Sequence, residues 1–372
     1  MKRKQIHNKL RSGLDKRVQR SLSSLRRGFT MIELAVAVAL ATFVVIALYG
    51  IFTIQSYQLM NQELRMEMHQ NSRFALEILS RSIRMAGFGS RGTIVGEFGN
   101  GGTSNAQDVI VSYDAYGTNG SDAITVAYME PSLVMDTQYS TVEACTTSTI
   151  TFDPNHLDNF DKLLQYREGD LLMCYDYAAI GTNNSYLWSI TSDASTATPF
   201  GTISVDSSIA TVTDFSAACP SSQNISPVLR CSKGQVATFY IDDTNNAVGP
   251  GSPEHPVLMM DLNGNFPNND DVPLVDNVED LQIQYCIDDG TDTTNCSSPL
   301  NWSHSISAGE VSNVWMVRIS MVVRSPKENY QGMEWSTNVR PALANNSAGS
   351  SGDGYYREVV ITEVAVRNLR LF

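Results

Sequence analysis

Histidine is scarce in this sequence, with five in 372 residues, so the commonest acid–base side chain is nearly missing. Beyond residue 92 only His156, His255 and His304 remain. None stands in H-E-x-x-H or beside G-x-S-x-G, and there is no P-loop, which removes the usual zinc-hydrolase, serine-hydrolase and nucleotide-hydrolysing signatures. None of the six cysteines forms C-x-x-C or a Cys/His zinc spacing. Charged residues make up only 17%, and behind residue 28 no basic stripe could follow a phosphate backbone, so no nucleic-acid partner is expected. No repeat period is visible. The expectation is a chain without catalytic residues and without a cofactor.

What is present is concentrated at the front. Residues 1–28 hold ten Lys/Arg against Asp15 alone, a local balance of +9 that leaves −22 on the remainder of a chain whose total is −13. From Phe29 to Ile54 follows an apolar run with one charge, Glu33, long enough as a helix to cross a bilayer. A basic segment before an apolar span is the positive-inside pattern, which keeps the leader cytoplasmic. A cleavable secretory signal has a shorter core and an A-x-A-like site behind it. Here the run is too long and no such site follows. The pair Arg26-Arg27 also suggests a twin-arginine export signal. Leu25 before the pair, the strong apolarity behind it and the embedded Glu33 count against that reading.

A lone carboxylate in an apolar span needs a partner or a place at the headgroups. Cleavage after Gly28 would create an α-amino group on Phe29, one helical turn from Glu33, on the same chain or on a neighbour. A carboxylate in the first turn also suits the helix dipole.

The string Arg26-Arg27-Gly28-Phe29-Thr30-Met31-Ile32-Glu33-Leu34 resembles the processing site of type IV prepilins and type II secretion pseudopilins. The resemblance implies that a prepilin peptidase cuts between Gly28 and Phe29 and methylates the new amine, and that Glu33 serves assembly. Val278-Glu279-Asp280-Leu281-Gln282-Ile283-Gln284-Tyr285, with Ile287-Asp288, is similar to a segment of PilW-like minor pilins. Val317-Arg318-Ile319 with Val323-Arg324-Ser325, and Tyr356-Arg357-Glu358 with Val364-Ala365-Val366-Arg367-Asn368-Leu369, resemble the strands that follow it there. Cys286 replaces the glycine usual in that family.

Behind the span, Tyr57, Met60, Leu64, Met68, Ala75, Ile78, Leu79 and Met85 recur at three- and four-residue steps, the pattern of an amphipathic helix. One helix is therefore expected from Phe29 to Ala86, its outer stripe packed on the chain's own β-domain because the heptads of a coiled coil are missing. Gly87 and Gly89 stop it, so Gly87-Phe88-Gly89-Ser90-Arg91-Gly92 reads as a helix terminator, not a dinucleotide loop. Strands are expected near 108–113, 122–128, 168–175, 235–241, 256–261, 281–287, 314–323 and 357–367. Cys145, Cys174, Cys219, Cys231, Cys286 and Cys296 are disulfide candidates in an oxidising compartment, with neighbour pairing 145–174, 219–231 and 286–296 expected. Asp261-Leu262-Asn263-Gly264-Asn265 with Asp270 and Asp271 has the alternating oxygens of a calcium loop, but Phe266 and the missing closing Glu favour a hairpin turn.

The expected organisation is α+β and lollipop-like. It comprises a removed leader (1–28), a transmembrane helix (29–54), its amphipathic continuation (55–86) and a disulfide-bearing β-rich head (87–372). The resemblance implies a single-pass bacterial inner-membrane protein with a periplasmic head that later reaches the pilus tip at the cell surface. Its implied partners are the prepilin peptidase/methyltransferase, other minor pilins, the major pilin and a tip adhesin. A J-type pseudopilin and a membrane-anchored binding protein or hydrolase with an uncut signal anchor are the competing readings.

Overall fold

The computed structural model describes residues 29–90, 93–95, 106–136, 149–152, 159–176, 184–195, 201–206, 229–244, 255–262, 267, 271–287, 296, 302–307, 310–327, 339–350 and 352–370. The chain divides into two compact units, Met1–Glu63 and Leu64–Phe372.

Helix α1 runs Met31–Met85. Within the first unit every residue from Met31 to Tyr49 is exposed, and α1 is long and apolar enough to cross a membrane. The hydroxyls of that stretch are satisfied by their own helix. Thr42 Oγ1 donates to Val38 O (2.8 Å) and Thr53 Oγ1 to Gly50 O (2.8 Å). Such internal pairing is what a medium without water requires.

In the second unit α1 buries Leu64, Met68, Ser72, Ala75, Leu79 and Ile83, steps of three and four that form one stripe. The stripe joins a core built from both β-sheets, so it packs on the chain's own head, as expected. Tyr57 and Met60 lie outside it and are exposed.

Sixteen strands form among the described residues. They are β1 Thr93–Val95, β2 Ala106–Gln107, β3 Ile110–Tyr113, β4 Ala123–Met129, β5 Met135–Asp136, β6 Thr149–Phe152, β7 Leu171–Asp176 and β8 Asn184–Ser195. Then come β9 Gly201–Asp206, β10 Leu229–Asp242, β11 Val257–Asp261, β12 Val272–Asp276, β13 Val278–Ile287, β14 Trp302–Ser303, β15 Val314–Arg324 and β16 Arg357–Ala365. The larger sheet has the path β12-β11-β10-β7-β8-β1-β2, with β4 and β5 on β10, β3 on β4, and β9 and β6 extending from β8. The smaller sheet is antiparallel, β14-β13-β15-β16. A second core, with Phe152, Tyr166 and Trp188 fully buried, sits under the β6–β9 side of the larger sheet.

The disulfide pairing corrects the sequence expectation. Cys174 bonds Cys231, 57 residues away, which displaces both 145–174 and 219–231. The reason is register: β7 and β10 are antiparallel neighbours with Cys174 directly opposite Cys231, at a Cα separation of 4.0 Å. Proximity across a sheet outranks proximity along the chain. Cys286–Cys296 forms as expected, and Cys145 and Cys219 lie outside the described residues.

Candidate functional site

Two sites emerge, one at each end of α1. At its start, Gly28 lies outside the described residues and Phe29 is 88% exposed. Thr30 N donates to Glu33 Oε2 (2.9 Å), Thr30 Oγ1 donates to the same oxygen (3.0 Å), and Glu33 N donates to Thr30 Oγ1 (3.3 Å). This is a reciprocal capping box, satisfying first-turn donors that a helix otherwise leaves open. In the uncut chain the Glu33 carboxylate is thus engaged within its own turn. The T-x-x-E spacing was the signal that could have revealed it.

At the other end, Gly87 and Gly89 take φ of 77° and 73°, the left-handed backbone that ends helices. The fit is also tight: a Cβ on Gly89 would lie 2.5 Å from the Met129 sulfur. The turn is tied into the larger sheet by Gly87 N to Ala127 O (3.0 Å) and Met129 N to Phe88 O (2.9 Å). Asn368 Nδ2 then donates to Arg84 O (3.0 Å) and Met85 O (3.4 Å), so a residue near the end of the chain caps α1.

The stretches singled out in the sequence as strand motifs converge on a buried ion cluster in the smaller sheet. Glu279 on β13 accepts from Arg357 on β16 through Nε (2.6 Å) and Nη2 (2.8 Å), and from Arg324 on β15 (3.4 Å). Asp353 completes the Arg357 shell at 2.6 Å. Burial works against charge on Arg357, but its bonds to Asp353 and Glu279 hold the guanidinium above its ordinary pKa. Next along β13, Asp280 is fully buried and pairs with Arg340 and Asn346. Burial raises its pKa, and Gln282, Arg340 and Asn346 pull it back. The segment 339–350 is thereby strapped across the sheet.

The calcium-like stretch is a hairpin connection: β11 and β12 pair with Val257 opposite Asp276 and Met260 opposite Val272. Asp271 accepts the Tyr240 hydroxyl, while Asn263, Asn265 and Asp270 lie outside the described residues. No group of three metal-ligating side chains occurs among the described residues. His304 lies 3.3 Å from Gln284 and His255 3.5 Å from Asp276; His156 is outside the described residues.

Comparison with known proteins now bears on both ends. Residues 23–49 match the prokaryotic N-terminal methylation motif, a window holding Gly28, Phe29, Thr30 and Glu33. Residues 238–368 match the type IV pilus-assembly protein W family. The chain resembles the PilW-like type IV pilins. The PilW-matched region contains Glu279, Asp280, Arg324, Arg340, Asp353 and Arg357, so the PilW-like signature coincides with the buried clamp, and it ends on Asn368, the cap of α1. A solved type IV-like pilin from Thermus thermophilus aligns over 81% of this chain and 97% of its own, with 9% identity and a TM-score of 0.34. No curated protein matches.

Proposed function

We propose that the chain is a minor type IV pilin, a non-catalytic subunit of a tip or priming complex in pilus assembly. The observation that carries this reading is the capping box at the head of an apolar helix, inside a methylation motif, on a chain that also matches the PilW family. Removal of residues 1–28 by a prepilin peptidase frees the Phe29 amine and leaves Thr30 as the second and Glu33 as the fifth residue of the mature chain. While the subunit waits in the inner membrane, head in the periplasm, its own turn satisfies Glu33. In the fibre, the carboxylate exchanges Thr30 for the methylated Phe29 amine of a neighbouring minor or major pilin, neutralising two charges in an apolar core.

Mass spectrometry of the membrane-extracted protein tests the reading. The expected product begins at N-methylated Phe29; an intact leader in cells with an active prepilin peptidase overturns it. Glu33→Leu should still be cut but fail to enter pili, and normal incorporation would remove the pairing role. Deleting the gene should abolish pili and leave type II secretion intact; the opposite result assigns the chain to the pseudopilins.

A further inference from the structure

A sheet edge with free backbone groups is a template for another strand, and proteins blunt such edges with short strands, proline, bulges or charge. The larger sheet follows that rule. Its edge strand β12 is five residues long, contains Pro273 and pairs with β11 through a bulge, and β2 at the far end has two residues. On the smaller sheet β14 also has two residues. Strand β16 breaks the rule. It runs nine residues in unbroken register with β15 and holds neither proline nor lysine. Among the described residues no strand pairs with it on its other side.

The backbone groups of β16 divide by parity. Ser325 N donates to Tyr356 O (2.8 Å) and Val366 N donates to Trp315 O (3.1 Å), so the even-numbered residues serve the β15 ladder. In an antiparallel pair the alternate residues point away, which leaves the N–H and C=O of Val359, Ile361 and Glu363 on the open edge. Val359 is 41% and Ile361 57% exposed. The charges of the strand are already engaged within the chain. Arg357 pairs with Glu279 and Asp353, Glu363 with Arg318 (2.8 Å), and Glu358 lies 3.1 Å from His69 Nδ1.

The strand is also complementary to itself. Laid antiparallel on a second β16 about a two-fold axis at Val360, Val359 faces Ile361 twice, Arg357 faces Glu363 twice, and Glu358 faces Thr362. Facing β-branched residues and facing opposite charges both stabilise such a ladder. A slip that moves the axis to Ile361 instead sets Glu363 against Val359 and Arg357 against Ala365. We propose that this edge binds a second copy of the chain, the smaller sheet of each copy joining through paired β16 strands into one continuous sheet. The same patch serves on both copies, so the assembly closes as a dimer. A single strand pair is a small interface, but α1 is long and apolar enough to hold two copies in one bilayer, which raises their effective concentration. The pairing uses neither the leader nor Glu33, so it stands or falls apart from the function proposed above.

Cysteine cross-linking of the full chain in lipid vesicles tests this. Val360 lies on the axis, where facing Cβ atoms come close enough for a disulfide, so Val360→Cys should give a reducible dimer on a non-reducing gel. Ile361→Cys, which faces Val359, should stay monomeric. The Ile361 N–H points to the open edge, so proline there spares the β15 ladder. Val360→Cys combined with Ile361→Pro should therefore lose the cross-link. A monomeric Val360→Cys, or a cross-link that survives Ile361→Pro, overturns the proposal. So does a cross-link in Ile361→Cys and none in Val360→Cys. If the proline variant does not fold, the two single cysteine variants decide it.

Discussion

Glu279 carries two arginines, Arg324 and Arg357, in a place where water is excluded. Removing one partner from such a cluster leaves charge buried without compensation, which costs far more than the cluster contributes when intact. Glu279→Ala should therefore lower the head's stability by about 3 kcal/mol, the lower end of the usual range because Asp353 still holds Arg357. Denaturant unfolding followed by tryptophan fluorescence measures it, and a loss below about 0.5 kcal/mol would show that the cluster is not a clamp. At this scale the sequence told much about the front and little about the head. Glu33 stood out because a charge in an apolar run has no ordinary explanation. Glu279 did not, since an acid among strand residues is unremarkable until partners 45 and 78 positions away are brought onto it.

Among elements, legibility followed side-chain chemistry. All eight expected strands exist, because apolar runs mark them, Val and Ile in β15 and Leu and Met in β7 and β11. Strands β8 and β9 went unread: Asn184–Ser195 is rich in Ser and Thr, and only its pairing with β7 and β9 makes it a strand. The end of α1 was read from two glycines, but its cap was not, because that partner is 284 residues distant. Asn368→Ala should leave the last carbonyls of α1 without the donor and cost about 1 kcal/mol, with faster amide exchange confined to the 80–90 region. A uniform change across the head, or none, would deny Asn368 the capping role.

Over the whole molecule, the cysteines show where chain order misleads. Short loops were expected to pair neighbours, whereas sheet register joins two cysteines that 57 residues separate. Non-reducing peptide mapping of the purified chain should recover a 174–231 cross-link and a 286–296 cross-link. Recovery of 145–174 instead would mean that β7 and β10 do not pair as described. The pilin-like design was legible because it is written twice, once in the processing window and once in the closing strands. Residues 93–237 carry no motif legible in the sequence, and their strands take their places through pairings such as β4 and β7 on β10.

The cap on α1 also sets an order of events. Asn368 is made 284 residues after Arg84, so the helix end is completed only once the strands between them exist. Until then the carbonyls of Arg84 and Met85 wait for their donor, and Gly87 for the Leu369 side chain that packs against it. A chain that lacks Asn368 and Leu369 is thus open at the root of its head. Asn368 and Leu369 thus report, at the turn that ends α1, that the strands before them are in place.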